Sequence, residues 1–178
     1  MKAKSFPIND DSLTESTETF TAALGTLTES SGQGSNAGTL TSTVSIIDND
    51  ATVVTVNDAT ASEDNPTNAL VSVTVTGQAD RDVNLTCTLS AGSAIPGAAL
   101  GQDYTDATFT FHFAPTEVGT RALHIDLNDD NMAELTETLS VTCVHSTPPV
   151  SDVSISPATA TATITDDDIS RFSVSETA

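Results

Sequence analysis

The chain has 178 residues, with 25 acids against five bases and a formal net charge of −20 at neutral pH. So acidic a surface repels nucleic acid and anionic lipid, which argues against nucleic-acid binding, and no apolar run is long enough for insertion across a bilayer. Low hydrophobicity with high charge is also a mark of disorder, but Val, Ile, Leu and Phe recur here in regular short runs, which predicts a folded chain of one or two domains.

The opening "MKAKSFPIND" has two lysines with no hydrophobic region behind them, unlike a signal peptide. The sequence reads as an excerpt from a longer protein, whose secretion signal, if it has one, lies elsewhere. "NDDSLTESTETF" (Asn9–Phe20) and "VSIIDND" (Val44–Asp50) follow as acid-rich segments. Next, "LVSVTVTG" alternates Val71, Val73 and Val75 against Ser72, Thr74 and Thr76, and "VNLTCTLS" alternates Val83, Leu85, Cys87 and Leu89 against polar neighbours. The small-residue stretch Ser90–Tyr104 is expected to be an exposed connection. "ATFTFHF" puts Phe109, Phe111 and Phe113 on one face, and Pro115 and Gly119 mark the turn into "ALHIDL" with Leu123, Ile125 and Leu127. "TLSVTC" aligns Leu139, Val141 and Cys143, and the prolines of His145–Thr159 fit a loop or an edge strand. Period-two alternation in many short Thr- and Val-rich runs predicts an all-β chain, an antiparallel β-sandwich of immunoglobulin-like type.

The sequence also repeats itself. "NDDSLTESTETF" aligns without gaps to "NDDNMAELTETL" (Asn128–Leu139) at an offset of 119, and "VSIIDND" aligns to "ATITDDD" (Ala162–Asp168) at an offset of 118. Two blocks in the same order at nearly equal offsets define a tandem repeat of about 118 residues. Residues 1–50 are the C-terminal half of one repeat, 51–168 a complete repeat, and 169–178 the opening strand of a following one.

"GQDYT" (Gly101–Thr105), "FTFHFAPTE", "NDDNMAELTETLSV" and the closing "ATITDDD", in this order, resemble the Calx-β domain, a calcium-binding sandwich of sodium/calcium exchangers, integrin β4 and extracellular repeat proteins. The resemblance implies Ca²⁺ as cofactor and assigns its ligands to Glu63, Asp103, Asp129, Asp130, Glu134, Glu137, Asp166, Asp167 and Asp168, with the Met132 carbonyl as an added oxygen. In the half repeat it assigns Asp10, Asp11, Glu15, Glu18, Asp48 and Asp50 to a weaker or incomplete site. That site lacks counterparts of Glu63 and Asp103, and Asn49 interrupts its terminal triplet. The family's strands bearing Cys87 and Cys143 are neighbours, which leaves open both a disulfide and two buried thiols.

The residues support the same chemistry independently. Asp129, Asp130, Glu134 and Glu137 stand with no Lys or Arg among them. Two bare carboxylates about 4 Å apart repel by roughly 4 kcal/mol at an effective dielectric near 20, against a domain stability of about 5–15 kcal/mol. A hard cation with six to eight oxygen ligands in irregular geometry offsets that repulsion. No EF-hand loop is present. A glycosidase is disfavoured by the crowding of the acids, the lack of Trp and the single Tyr104. His112, His124 and His145 have no zinc-type spacing, and no nucleophile-elbow motif occurs, so no enzyme is expected. The expected function is a calcium-binding structural or adhesive repeat segment of an extracellular or cell-surface protein. Its partners would be neighbouring repeats, with self-association through open strand edges. The alternatives are a calcium sensor of a membrane transporter and a ligand-binding adhesin domain. Asn84-Leu85-Thr86 is a glycosylation sequon.

Overall fold

A computed structural model describes residues 5–23, 41–64, 69–146 and 152–174. Among them are thirteen strands and no helix. β1 (Leu13–Thr14), β2 (Glu18–Ala23) and β3 (Thr41–Ile46) lie in residues 1–50, the segment expected to be a half repeat and so labelled below, as residues 51–168 are labelled the whole repeat. The whole repeat supplies β4 (Thr52–Asn57), β5 (Ala59–Ser62), β6 (Ala69–Thr76), β7 (Gln78–Ala79), β8 (Val83–Ala91), β9 (Thr108–Phe113), β10 (Gly119–Ile125), β11 (Glu137–His145), β12 (Val153–Ile155) and β13 (Thr159–Thr165).

The whole repeat is a sandwich of a four-stranded sheet, β10-β6-β4-β12, and a five-stranded sheet, β5-β13-β11-β8-β9. Its core is made by the alternation seen in the sequence. Val71, Val73 and Val75 of β6, Leu85 and Cys87 of β8, and Leu139, Val141 and Cys143 of β11 are all buried, and the intervening residues are not. Full burial of one such side chain contributes roughly 1.5–3 kcal/mol. Cys87 and Cys143 lie directly opposite each other in the β8–β11 register and form a disulfide, with their Cα atoms 4.0 Å apart. The Cys143 N–H donates to Ala158 on the other side of the strand. The cysteines therefore form a non-hydrogen-bonded pair, where facing side chains come closest.

Most pairings are antiparallel, but β12 runs parallel to β4 and β13 parallel to β5. The reason is that the run 52–62 changes sheets at Asp58, whose carboxylate accepts the Thr161 N–H at 2.7 Å. The C-terminal run 153–165 makes the same change beside it. β12 is the proline-flanked segment, and it stands at a sheet edge. The stretch Ser90–Tyr104 differs from the exposed connection expected. Ile95 and Leu100 are exposed, but Ala94, Asp103 and Tyr104 are buried, and Tyr104 bridges to both Pro96 and Leu127. Its ring completes the end of the core, so it offers no platform to a sugar.

The half repeat contributes the antiparallel pair β2–β3 and the short β1, which pairs in parallel with β7 of the whole repeat. His112 and His124 are exposed, whereas His145 is half-buried and its Nε2–H donates to the Val153 carbonyl at 2.8 Å. Asn84 is exposed on β8.

Candidate metal centre

One end of the five-stranded sheet gathers the acids. β5 ends at Ser62, which is in register with Thr165 at the end of β13, and Ile164 of β13 faces Glu137 at the start of β11. Glu63, Asp166 and Glu137 are thus delivered to one pole by three adjacent strands. Asp103 arrives from the 92–107 connection. Its Oδ2 accepts the Ile95 N–H at 2.5 Å, its own N–H donates to the Ile95 carbonyl at 2.9 Å, and its carbonyl accepts the Asn128 N–H at 3.0 Å. The Asn128 amide ties the same loop down through the Gly97 and Gln102 carbonyls.

Oxygens of Asp103, Glu134 and Glu137 lie within 4.8 Å of one another, the one such group of three among the described residues. Around it stand Glu63, which is only 8% exposed, together with Asp130 and Asp166. Asp130 is fixed by the N–H groups of Gly101 at 2.9 Å and Met132 at 2.7 Å. Gly101 takes a φ of +71°, a left-handed conformation that favours glycine. Asp166 accepts the N–H groups of Glu134 at 2.7 Å and Asp168 at 2.9 Å. Asp129 and Asp167 are exposed at the rim, beside the half-buried Asp168. Met132 is placed here by its N–H, while its side chain is largely exposed.

Burial and like charge oppose ionisation of this cluster. Desolvation, then the charges of Asp166, Glu134, Asp103 and Asp130, push Glu63 up to about 7. Glu137 is also raised to about 7, by desolvation first, then by a hydrogen bond to Asp103 and the charges of Asp103, Glu134 and Glu63. Glu134 and Asp168 are raised as well, again chiefly by desolvation. The salt bridges found among the described residues engage Arg81, His112 and Arg121, away from this pole. An all-oxygen donor set, anchored by main-chain N–H groups and lacking a basic counter-charge, fits a hard divalent cation such as Ca²⁺.

The half repeat reproduces part of this scaffold. Asp48 accepts the N–H groups of Glu15 at 2.9 Å and Asp50 at 3.2 Å, and Asp11 accepts the Leu13 N–H at 2.9 Å. The charges of Asp11, Glu18, Asp80 and Asp48 add to desolvation in raising Glu15, and those of Asp48, Asp10 and Asp11 do the same for Asp50. Backbone hydrogen bonds lower Asp48. In place of counterparts to Glu63 and Asp103, this cleft meets the base of the whole repeat. Asp152 lines it, and Arg81 binds Asp80 at 2.6 Å, Asp152 at 3.0 Å and the Ser16 hydroxyl at 2.7 Å. This arrangement was not legible in the sequence, because Asp80, Arg81 and Asp152 belong to no repeated block. Asn128, by contrast, stands in a block that repeats as Asn9, a signal that could have marked it.

A model of the Calx-beta domain matches residues 2–50 and again 48–168. Among solved structures, the chain is similar to an apo-form Calx CBD1 domain (TM-score 0.54, 22% identity, covering 67% of this chain and all of that one). It is also similar to the CBD12 structures of CALX1.2 (TM-score 0.53, 22% identity) and CALX1.1 (TM-score 0.51, 21% identity), covering 65% of this chain and 44% of theirs. The chain thus spans less than half the length of those two. Sequence comparison with curated proteins returned no match. With both of its repeated segments matched, this chain belongs to the Calx-beta domain family.

Proposed function

We propose that the chain is a calcium-binding segment of a tandem-repeat protein, in which the ion at the acidic pole stiffens the junction between successive sandwiches. The observation that supports it most is the convergence of Asp103, Glu134 and Glu137 within 4.8 Å, surrounded by further carboxylates. One of the similar structures is described as a calcium binding domain. Bound there, Ca²⁺ would supply two positive charges and a coordination shell of six to eight oxygens. The protein's part is preorganisation. Ile95 fixes Asp103, Gly101 and Met132 fix Asp130, and Glu134 and Asp168 fix Asp166. These bonds hold the acidic loops in place around the converging oxygens of Asp103, Glu134 and Glu137. Asp129, Asp167 and Asp168 would complete the outer face.

The setting we propose is extracellular or on a cell surface. The Cys87–Cys143 disulfide supports an oxidising compartment, and the acidic, Lys-poor composition suits a calcium-rich exterior. A second reading, a regulatory calcium sensor of a membrane transporter, is favoured by the likeness to the CBD12 structures. Calorimetric titration with CaCl₂, on the full chain and on an Asp103→Asn/Glu137→Gln variant, tests the metal reading. Saturable heat in the parent and its loss in the variant are expected, and equal flat traces would end the proposal. Scattering with and without chelator separates the two roles. A spacer loses stiffness without the ion, whereas a sensor moves between two compact arrangements.

A further inference from the structure

The junction in this chain shows how one repeat seats the next. Leu13 and Thr14 pair in parallel with Gln78 and Ala79 at the base of the whole repeat, and the Thr14 carbonyl accepts the Asp80 N–H at 3.2 Å. Thr14 is only 2% exposed, and its hydroxyl meets that of Thr52 at 2.9 Å. Two residues further on, Ser16 contacts Arg81.

At the repeat offset, the positions of Leu13, Thr14 and Ser16 are taken by Met132, Ala133 and Leu135. Here those residues are uncovered, with Met132 43% and Leu135 85% exposed. The scaffold that presents them is the same, since Met132 N–H binds Asp130 as Leu13 N–H binds Asp11. In sequence, the run after Asp168 places Phe172 and Val174 at the positions of the buried Val54 and Val56, but its described residues, 169–174, form no strand here, and both side chains are exposed.

We infer that Met132–Ala133 is a docking strand that pairs in parallel with the β7-type base of a following sandwich, with Leu135 covered by that contact. The pairing uses main-chain groups, so it does not depend on the change from Thr14 to Ala133. The change from Ser16 to Leu135 replaces a polar contact with an apolar one, and burial of a Leu side chain favours the docked arrangement. This deepens the proposed junction role by naming the surfaces that meet.

The test is the full chain to Asp168 continued directly by a second copy of residues 51–178, which keeps the spacing found at Asp50–Ala51. Amide hydrogen exchange is read at Asp80 of each copy, in calcium and in chelator, alongside calorimetric calcium titration. In calcium, the second copy's Asp80 amide is expected to exchange within about tenfold of the first copy's, whose Thr14 contact serves as the internal reference. Leu135→Glu, at an exposed position that leaves the fold intact, is expected to remove protection from the second copy alone. Exchange at the rate of an exposed amide while calcium binds overturns the docking and leaves the calcium reading standing. Protection without any calcium heat supports the docking and overturns the calcium reading. Protection indifferent to Leu135→Glu overturns the docking role of Leu135.

Discussion

Glu134 and Asp166, thirty-two residues apart, are joined by a 2.7 Å hydrogen bond from the backbone N–H of the first to Oδ2 of the second. The half repeat makes the same bond between Glu15 and Asp48 at 2.9 Å. In each case the other oxygen of the aspartate takes the N–H two residues further on. The terminal aspartate is therefore first a clamp that ties the acidic loop to the end of the last strand, and only then a candidate ligand.

This makes Asp166 a sensitive position. Asp166→Asn keeps one oxygen for the backbone but removes the negative charge and half the acceptor capacity. Calcium affinity of the full chain is expected to fall by at least about tenfold, the scale of losses when support around a metal ligand is removed. Asp48→Asn should change the total calcium heat far less, because the half repeat lacks the three-carboxylate convergence. Equal losses in the two variants would contradict this ranking.

The acidic pole predicts an unusual pH dependence for the metal-free protein. Glu63 and Glu137 hold their protons to about 7 in the folded chain, against an ordinary value of 4.5. Between those values the folded state binds more protons than the unfolded one, so stability falls as pH rises. Their contribution is fully present below about 4.5 and is lost as pH climbs through about 7. Thermal melts in chelator should thus show a Tm that declines from pH 5 to pH 8. Calcium should flatten the decline, and its binding near pH 6 should release protons, detectable as a dependence of the heat on buffer ionisation. A metal-free Tm that rises across this range would rule out the crowded, desolvated pole.

The disulfide closes a loop between residues 56 apart in sequence and ties the centre of β8 to β11. Its removal by Cys87→Ala/Cys143→Ala is expected to cost about 2–4 kcal/mol. Urea unfolding checks this, and an unchanged midpoint would show that packing alone fixes the register. The effect should be general, since Glu137 lies at the far end of β11 from Cys143.

Gly77 adopts a φ of +78° and a Cβ there would stand 2.2 Å from the Ala51 carbonyl oxygen, at the entry to the whole repeat. Gly77→Ala is expected to destabilise by about 1–3 kcal/mol through strain alone, with the backbone contact adding to it. Gly119→Ala is the control. That residue also has positive φ, at 128°, but nothing lies within 4 Å of the added carbon. Chemical denaturation of both variants should rank Gly77 as the costlier site.

The alternation of Val71, Val73 and Val75, or of Leu139, Val141 and Cys143, settled which side chains enter the core, because a strand sends successive residues to opposite faces. Of the three acids whose oxygens converge, Glu134 and Glu137 stand in a repeated acid-rich block, while Asp103 stands in neither block and was reached only through the family resemblance. The sequence could not settle whether Cys87 and Cys143 bond, because that depends on register, and the structure sets them directly opposite. Nor could it show that Asp103 is held by Ile95, that Tyr104 is core, or that Arg81 of one repeat reaches Ser16 of another. Periodicity speaks only for residues within one element. Contacts between a loop and a distant strand, or between two repeats, arise from the packing of the whole chain.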